Sequence, residues 1–310
     1  MKNIKMKSIF VSIASYRDPE LEHTVKSLID NASGLNNIHI GIVCQASKNE
    51  TPDLSSYKNI SMISMHPKDA RGVGFARAKA MELYNDEDYF LQIDSHSQFV
   101  KNWDLSLIEV YEVALIKSKK VIVSAFPGMY LIESNRRDIV PFHKGNNMTY
   151  PCKQKLSQRK NGDWSAERVE FEDKDSYYPE QSNTILAGFI FSNGSIVKDL
   201  PYDPDISFMG EEVCFAARAW TNGYDIYSPK EFYIYHFYGR NGYKKVWKDD
   251  NVRPISWEEI QKISKDKQKR ILCGIEKGKY GLGRVRSIDK YEKLVGFNFK
   301  EYYGLTNSSD

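Results

Sequence analysis

Long apolar runs are missing from this sequence of 310 residues. No stretch approaches the roughly 18 apolar residues of a membrane-spanning helix, so no transmembrane segment is expected. The basic start Met1-Lys2-Asn3-Ile4-Lys5-Met6-Lys7 leads into an apolar run of only Ile9 to Ala14. Tyr16-Arg17-Asp18 interrupts that run too early for a signal peptide. Cysteine is sparse: Cys44, Cys152, Cys214 and Cys273 have neither the paired spacing of a zinc site nor that of a disulfide framework. Free thiols without an export signal predict a reducing, cytoplasmic setting. An excess of either charge is also absent, with 44 Lys plus Arg against 41 Asp plus Glu. The net charge of +3 implies no polyanionic partner, so nucleic acid is not expected to bind. No internal repeat and no Pro- or Ser-rich linker divides the chain.

What is present is enough apolar material for one large core, 41% hydrophobic and 13% aromatic residues. Ser8 to Ala14 reads as a first strand, with Asp18 as helix N-cap and Pro19 at the first helical position. Ile38 to Cys44 and Ile60 to Met65 read as further strands. Gly72 opens a helix in which Val73, Ala76, Ala80 and Leu83 share a face, and Tyr89 to Ile93 is the next strand. This alternation predicts an α/β, nucleotide-binding N-terminal half. Trp103 to Ile116 reads as helix and Val121 to Ser124 as extended chain. From about Pro141 to Pro179 the sequence is polar and irregular, either a surface insertion or a binding excursion. Ile185 to Phe191 reads as an apolar strand, and Glu211 to Asn222 as a helix stopped by Gly223. Ile226 and Phe232 to Tyr235 are expected to continue the sheet. Ser256-Trp257-Glu258-Glu259 is a capping box opening a helix toward Leu272.

The strand Tyr89 to Ile93 ends in Asp94-Ser95-His96, a carboxylate and an imidazole two residues apart at a strand mouth. In open α/β sheets, ligands bind outside the carboxyl ends of the strands. Asp94 and His96 can both turn toward one ion there, and an oxygen with a nitrogen suits Mn²⁺ or a similar divalent cation. A strand ending in a turn, with Asp94 or Ser95 capping nearby backbone, would read the same way. Arg77 sits on or beside an apolar helix stripe, where a charge needs a partner or a ligand. Gly72 and Gly74 do not make a phosphate-binding loop, because no Lys-Ser/Thr follows them.

Ile9-Phe10-Val11-Ser12-Ile13-Ala14-Ser15-Tyr16-Arg17-Asp18-Pro19-Glu20-Leu21, Gly41-Ile42-Val43-Cys44-Gln45, Ala76-Arg77 and Leu91-Gln92-Ile93-Asp94-Ser95-His96 follow one another along the chain. Phe208-Met209-Gly210-Glu211-Glu212, Ala219-Trp220-Thr221-Asn222-Gly223-Tyr224-Asp225-Ile226-Tyr227 and His236-Phe237-Tyr238 come later. In order and spacing these stretches resemble the GT-A-fold N-acetylglucosaminyltransferases that modify hydroxyproline, together with their bacterial relatives. A more distant resemblance is to polypeptide N-acetylgalactosaminyltransferases, through the Asp-Ser-His triplet, an upstream arginine and a far downstream histidine. The resemblance implies a GT-A fold with a mixed central sheet flanked by helices and a Rossmann-like N-terminal half. It runs through most of the chain, so residues 1–310 are read as one glycosyltransferase domain. Residues 1–125 would form the nucleotide-sugar half, 126–255 the acceptor and metal-completing half, and 256–310 a helical extension.

By the same resemblance, Asp94, His96 and His236 would hold Mn²⁺ or Mg²⁺. Ser12, Tyr16, Arg17, Gln45, Arg77 and Ser95 would line the UDP-sugar, with Arg77 on the diphosphate. Glu211, Glu212 and Asp94 would serve catalysis. Glutamates in a first helical turn are also ordinary dipole compensation, and in similar enzymes this one lies beneath the sugar or near the acceptor. Arg218 and Trp220 read as surface and packing groups. The implied activity is metal-dependent, retaining transfer of N-acetylglucosamine from UDP-GlcNAc to a hydroxyl of a protein or saccharide. A UDP-galactose or UDP-GalNAc transferase of polysaccharide synthesis, and a non-catalytic carbohydrate-binding homologue, are the competing readings. Gly239, Gly242, Arg240, Lys244, Lys245 and Trp247 mark Tyr238 to Asn251 as a candidate lid.

Overall fold

The computed structural model describes residues 6–133, 136–140 and 150–305. Strand β1 (Ser8–Tyr16) is apolar on both faces because it runs through the middle of a sheet covered on both sides. Ile9, Val11 and Ile13 enter one core, while Phe10 enters the other. Helix α1 (Leu21–Asp30) then leads to β2 (Asn37–Gln45), β3 (Ile60–Met65), α2 (Val73–Met81) and β4 (Tyr89–Asp94). β1 pairs in parallel with β2 and with β4, matching Tyr16 to Gln45 and Ala14 to Asp94. The carboxyl ends of three strands therefore open on the same crevice.

After β4 the chain forms the short β5 (Ser97–Phe99), α3 (Trp103–Leu115) and β6 (Val121–Val123). Next come β7 (Gly128–Glu133), β8 (Arg136–Ile139), and a hairpin of β9 (Lys153–Gln158) and β10 (Trp164–Val169). β11 (Glu180–Ser182), β12 (Phe189–Asn193), α4 (Ile196–Asp199), α5 (Glu211–Thr221), β13 (Asp225–Ser228) and β14 (Ile234–His236) follow. The chain closes with α6 (Trp257–Leu272), α7 (Ile288–Val295) and α8 (Phe299–Tyr302). The main sheet has the order β11-β13-β6-β12-β4-β1-β2-β3 and mixes parallel with antiparallel pairs. A second sheet, β5-β14-β7-β8, starts just past the carboxyl end of the central strand β4. One core lies between the main sheet and α1 with α3, and the other is built around α5, α6 and α7.

Several expectations are corrected by this architecture. Asp18 is not the N-cap of α1: the helix starts at Leu21, Glu20 occupies the cap position, and Pro19 precedes it. Oδ2 of the Asp18 carboxylate is committed to side chains beyond β4. Leu83 lies past the end of α2. Within the region read as irregular, β9 and β10 form a regular hairpin whose Trp164 packs on Phe297 and Phe299; residues 141–149 lie outside the described residues. Strand β12 begins only at Phe189, because the N–H groups of Leu186 and Ala187 donate to the Ser124 hydroxyl and the Glu212 carboxylate instead of to a neighbouring strand. β13 does join the main sheet, but the segment ending at His236 belongs to the second one. Arg218 is buried rather than on the surface, donating to the carbonyls of Pro201 and Lys279. The capping box at Ser256 and Glu259 forms as expected. Among the described residues, no helix is long and apolar enough to cross a membrane.

Candidate active site

The second sheet is what brings the distant histidine to the Asp94-Ser95-His96 turn. β5 follows that turn directly and pairs antiparallel with β14, setting His236 opposite Ser97. Asp94, His96 and His236 each present a ligand atom, and these atoms lie within 4.8 Å of one another. His236 Nε2 is 3.2 Å from Asp94 Oδ2, and the two imidazole rings meet edge to face with centroids 4.4 Å apart. His236 Nδ1 is buried without a hydrogen-bond partner. Burial, followed by the neighbouring His96, pushes His236 down to about 4, so its ring is neutral near pH 7. Burial opposes the charge on Asp94, but the His236 hydrogen bond and the Arg77 charge hold its carboxyl well below the usual range. A neutral imidazole and an ionised carboxylate are the protonation states that ligation needs, and two nitrogens with one oxygen fit a borderline divalent ion.

Arg77 is only 3% exposed and lies between two acids. Its Nη2 donates to Asp94 Oδ1 at 2.9 Å, and Nη1 is 2.7 Å from Glu211 Oε2. The turn before α5 delivers Glu211 through two residues of positive φ, Met209 at 36° and Gly210 at 93°. Glycine is required at 210, since an added Cβ would lie 2.1 Å from Gln268 Oε1 while Gln268 Nε2 donates to the Met209 carbonyl. Burial raises the Glu211 carboxyl against the opposing charge of Arg77. Glu212 accepts the Ala187 N–H at 2.8 Å and is pushed up to about 7, mainly by burial, with the neighbouring Glu211 adding to it.

These groups line a cleft of about 380 Å³. Tyr16, Gln45, Arg77 and Ser95 reach it, as do Asp94, His96, His236, Glu211 and Glu212. Ser12 and Arg17 are not among its lining residues. Ser12 sits fully buried inside the sheet, four positions before the end of β1. Arg17 is engaged by Glu50 and by Asp249, at 2.6 Å each. Tyr238, Arg240, Lys244, Lys245 and Trp247 line the cleft as well. Trp247 stacks on Phe208 with centroids 4.6 Å apart, and Tyr16 donates its hydroxyl proton to Asp249 at 2.8 Å. A second cavity, of about 340 Å³ beside Lys153, Trp220 and Tyr291, shares no residue with this one.

Sequence reasoning missed two residues here. Gly188 precedes Phe189, which pairs with Ile93, so Gly188 falls beside Asp94; an added Cβ would lie 2.8 Å from Asp94 Oδ2. Strand register, once known, is the signal that finds it. Asp18, read as a cap, accepts hydrogen bonds from Ser95 Oγ and His96 Nδ1, both at 2.8 Å, and from Arg240 Nη2 at 3.1 Å. Nothing local in the sequence separates that carboxylate from an ordinary helix cap.

Among solved structures the chain is similar to GalNAc-T7, crystallised with UDP, GalNAc and Mn²⁺, with a TM-score of 0.61 at 16% identity. That match covers 97% of this chain and 57% of the other, so the chain spans little more than half the length of GalNAc-T7. A weaker overlap, with a TM-score of 0.45 at 13% identity, is with S. aureus TarS 1-349 in complex with UDP-GlcNAc, covering 86% of this chain and 73% of that one. A search of curated proteins gives no match. The family model described as Glycosyltransferase (GlcNAc) matches residues 8–58 and 53–301. With that match over nearly its whole length and a GT-A arrangement of sheet and helices, the chain belongs to the GlcNAc glycosyltransferase family.

Proposed function

We propose that the protein transfers N-acetylglucosamine from UDP-GlcNAc to a hydroxyl of a protein or saccharide acceptor, with metal dependence and retention at the anomeric carbon. The observation that carries the reading is the Asp94, His96 and His236 cluster in a cleft that Arg240, Lys244 and Lys245 also line. The family description supports the sugar, and the UDP bound in the structurally similar GalNAc-T7 supports the nucleotide. Retention rests on the sequence resemblance.

Breaking the glycosidic bond of a nucleoside diphosphate sugar builds negative charge on the departing diphosphate. A divalent ion, Mn²⁺ or Mg²⁺, held by Asp94, His96 and His236 would stabilise that charge electrostatically. Lys244 and Lys245 add positive charge to the same cleft, and Arg77 keeps Asp94 and Glu211 aligned while lining that space. Tyr16 and Gln45, at the ends of β1 and β2 and lining the cleft, would meet the uridine. Glu211 and Glu212 fix sugar or acceptor hydroxyls, and a Glu212 carboxyl near 7 exchanges protons readily at neutral pH. In the retaining course the acceptor approaches the face from which the diphosphate leaves, and its hydroxyl proton passes to a departing phosphate oxygen.

A donor panel tests the proposal. UDP release is measured with UDP-GlcNAc, UDP-GalNAc and UDP-galactose in the presence of Mn²⁺. The highest kcat/KM is expected for UDP-GlcNAc; preference for either galacto-configured donor would move the protein to the competing activity, and release from none of them would remove the UDP-sugar reading.

A further inference from the structure

We infer that Asp18 is a positioning residue of the cation site, holding the His96 ring in the orientation and tautomer that leave its second nitrogen free to ligate. The inference rests on the proposed metal role of Asp94, His96 and His236. Asp18 lies in the bend between β1 and α1 and is 4% exposed. Its two oxygens divide their work. Oδ1 accepts the Glu20 N–H at 3.0 Å, which shapes the bend. Oδ2 takes His96 Nδ1 and Ser95 Oγ at 2.8 Å each and Arg240 Nη2 at 3.1 Å. With three donors on one oxygen and a backbone N–H on the other, the carboxylate is filled and is not itself a ligand of the ion.

The contact with His96 has a definite chemical consequence. A carboxylate that accepts from Nδ1 keeps the proton on that nitrogen, so Nε2 carries the lone pair. The backbone around the ring is clamped separately by α1: Thr24 Oγ1 donates to the Ser95 carbonyl at 2.9 Å and accepts the Ser97 N–H at 2.8 Å. Thr24 thus fixes where the His96 backbone sits, and Asp18 fixes how its ring is turned. The remaining side of the ring packs against His236. Ligating histidines are commonly held by a carboxylate on their other nitrogen, and loss of that partner typically weakens metal binding about 10- to 100-fold. Arg240 brings the stretch that covers the cleft onto the same Asp18 oxygen, so the orientation of His96 and the seating of that stretch share one acceptor.

The experiment compares Mn²⁺ affinity, read from the electron paramagnetic resonance signal of free Mn²⁺, in the wild type, Asp18→Asn and His96→Ala. Asp18→Asn is nearly isosteric and is expected to weaken Mn²⁺ binding about 10- to 100-fold. Equal affinity in wild type and Asp18→Asn, with only the melting temperature changed, would overturn the role of Asp18 and leave the metal site standing. No binding by the wild type would remove the metal site and this assignment together. A second readout needs no altered Asp18. Long-range ¹H–¹⁵N correlation of the metal-free wild type, with His96 identified from the signal missing in His96→Ala, is expected to show the proton on Nδ1. A proton on Nε2 instead would contradict the assignment.

Discussion

Arg77 donates from Nη2 to Asp94 Oδ1 at 2.9 Å. The same guanidinium faces Glu211, so one buried cation compensates two acids in the cleft. Removing one partner of a buried ion pair leaves uncompensated charge. Arg77→Ala is therefore expected to lower unfolding stability by about 3–5 kcal/mol in denaturant titration. Arg77→Lys keeps the charge but loses the planar fork, and a smaller loss is expected. Titration of the Arg77→Lys variant with UDP separates the two roles of this residue: weakened affinity supports donor contact, and unchanged affinity makes Arg77 a structural residue only.

Gly188 gives a prediction of opposite character, in which the site changes and the fold does not. Alanine there would place Cβ 2.8 Å from the Asp94 oxygen that meets His236, and the carboxylate has to move. Gly188→Ala is expected to weaken Mn²⁺ binding by roughly tenfold or more, with a near-native melting temperature. Wild-type affinity in this variant would show that the Asp94 position is not critical.

Glu212 makes stability depend on pH. Its carboxyl rises from an ordinary 4.5 to about 7 on folding, so between those values the folded protein holds a proton that the unfolded chain has released. The contribution of this group to stability therefore falls as pH rises through that window. Glu212→Gln lacks the effect, and relative to wild type it should gain on the order of 1–3 kcal/mol between pH 4.5 and pH 8. Denaturant unfolding of both proteins across that range measures it. A difference that stays constant with pH would refute the assignment.

The 238–251 stretch is expected to act as a lid. It is fastened by Asp249, which receives the Tyr16 hydroxyl and Arg17, and by Trp247 on Phe208. Losing hydrogen bonds between charged groups costs about 1.5–3 kcal/mol, so Asp249→Ala should raise cleavage within this stretch roughly tenfold or more in limited proteolysis. UDP with Mn²⁺ should protect it in the wild type. Identical cleavage with and without donor would leave a static loop.

The sequence exposed the parts of this fold that depend on local pattern. The mostly apolar run of β1 and the capping box of α6 are both of this kind, and so is the apolar run ending at Asp94. His236 was legible as the end of a short apolar stretch, but its distance to Asp94 is set by β5–β14 pairing across more than a hundred residues. The β9–β10 hairpin was hidden because its strands are polar and partly exposed, so they lack the alternation of a half-buried strand. Asp18 and Arg218 were misread for a related reason: their partners are remote in sequence, and polarity alone suggests a cap or a surface.

The central claim is that Asp94, His96 and His236 hold a divalent ion needed for sugar transfer. It is tested most directly by UDP release from UDP-GlcNAc before EDTA treatment, after it, and after Mn²⁺ is restored. Wild-type activity should be lost in EDTA and return with Mn²⁺, while Asp94→Asn, His96→Ala and His236→Ala should remain folded and fail to recover. Full activity of the wild type in EDTA would contradict the account.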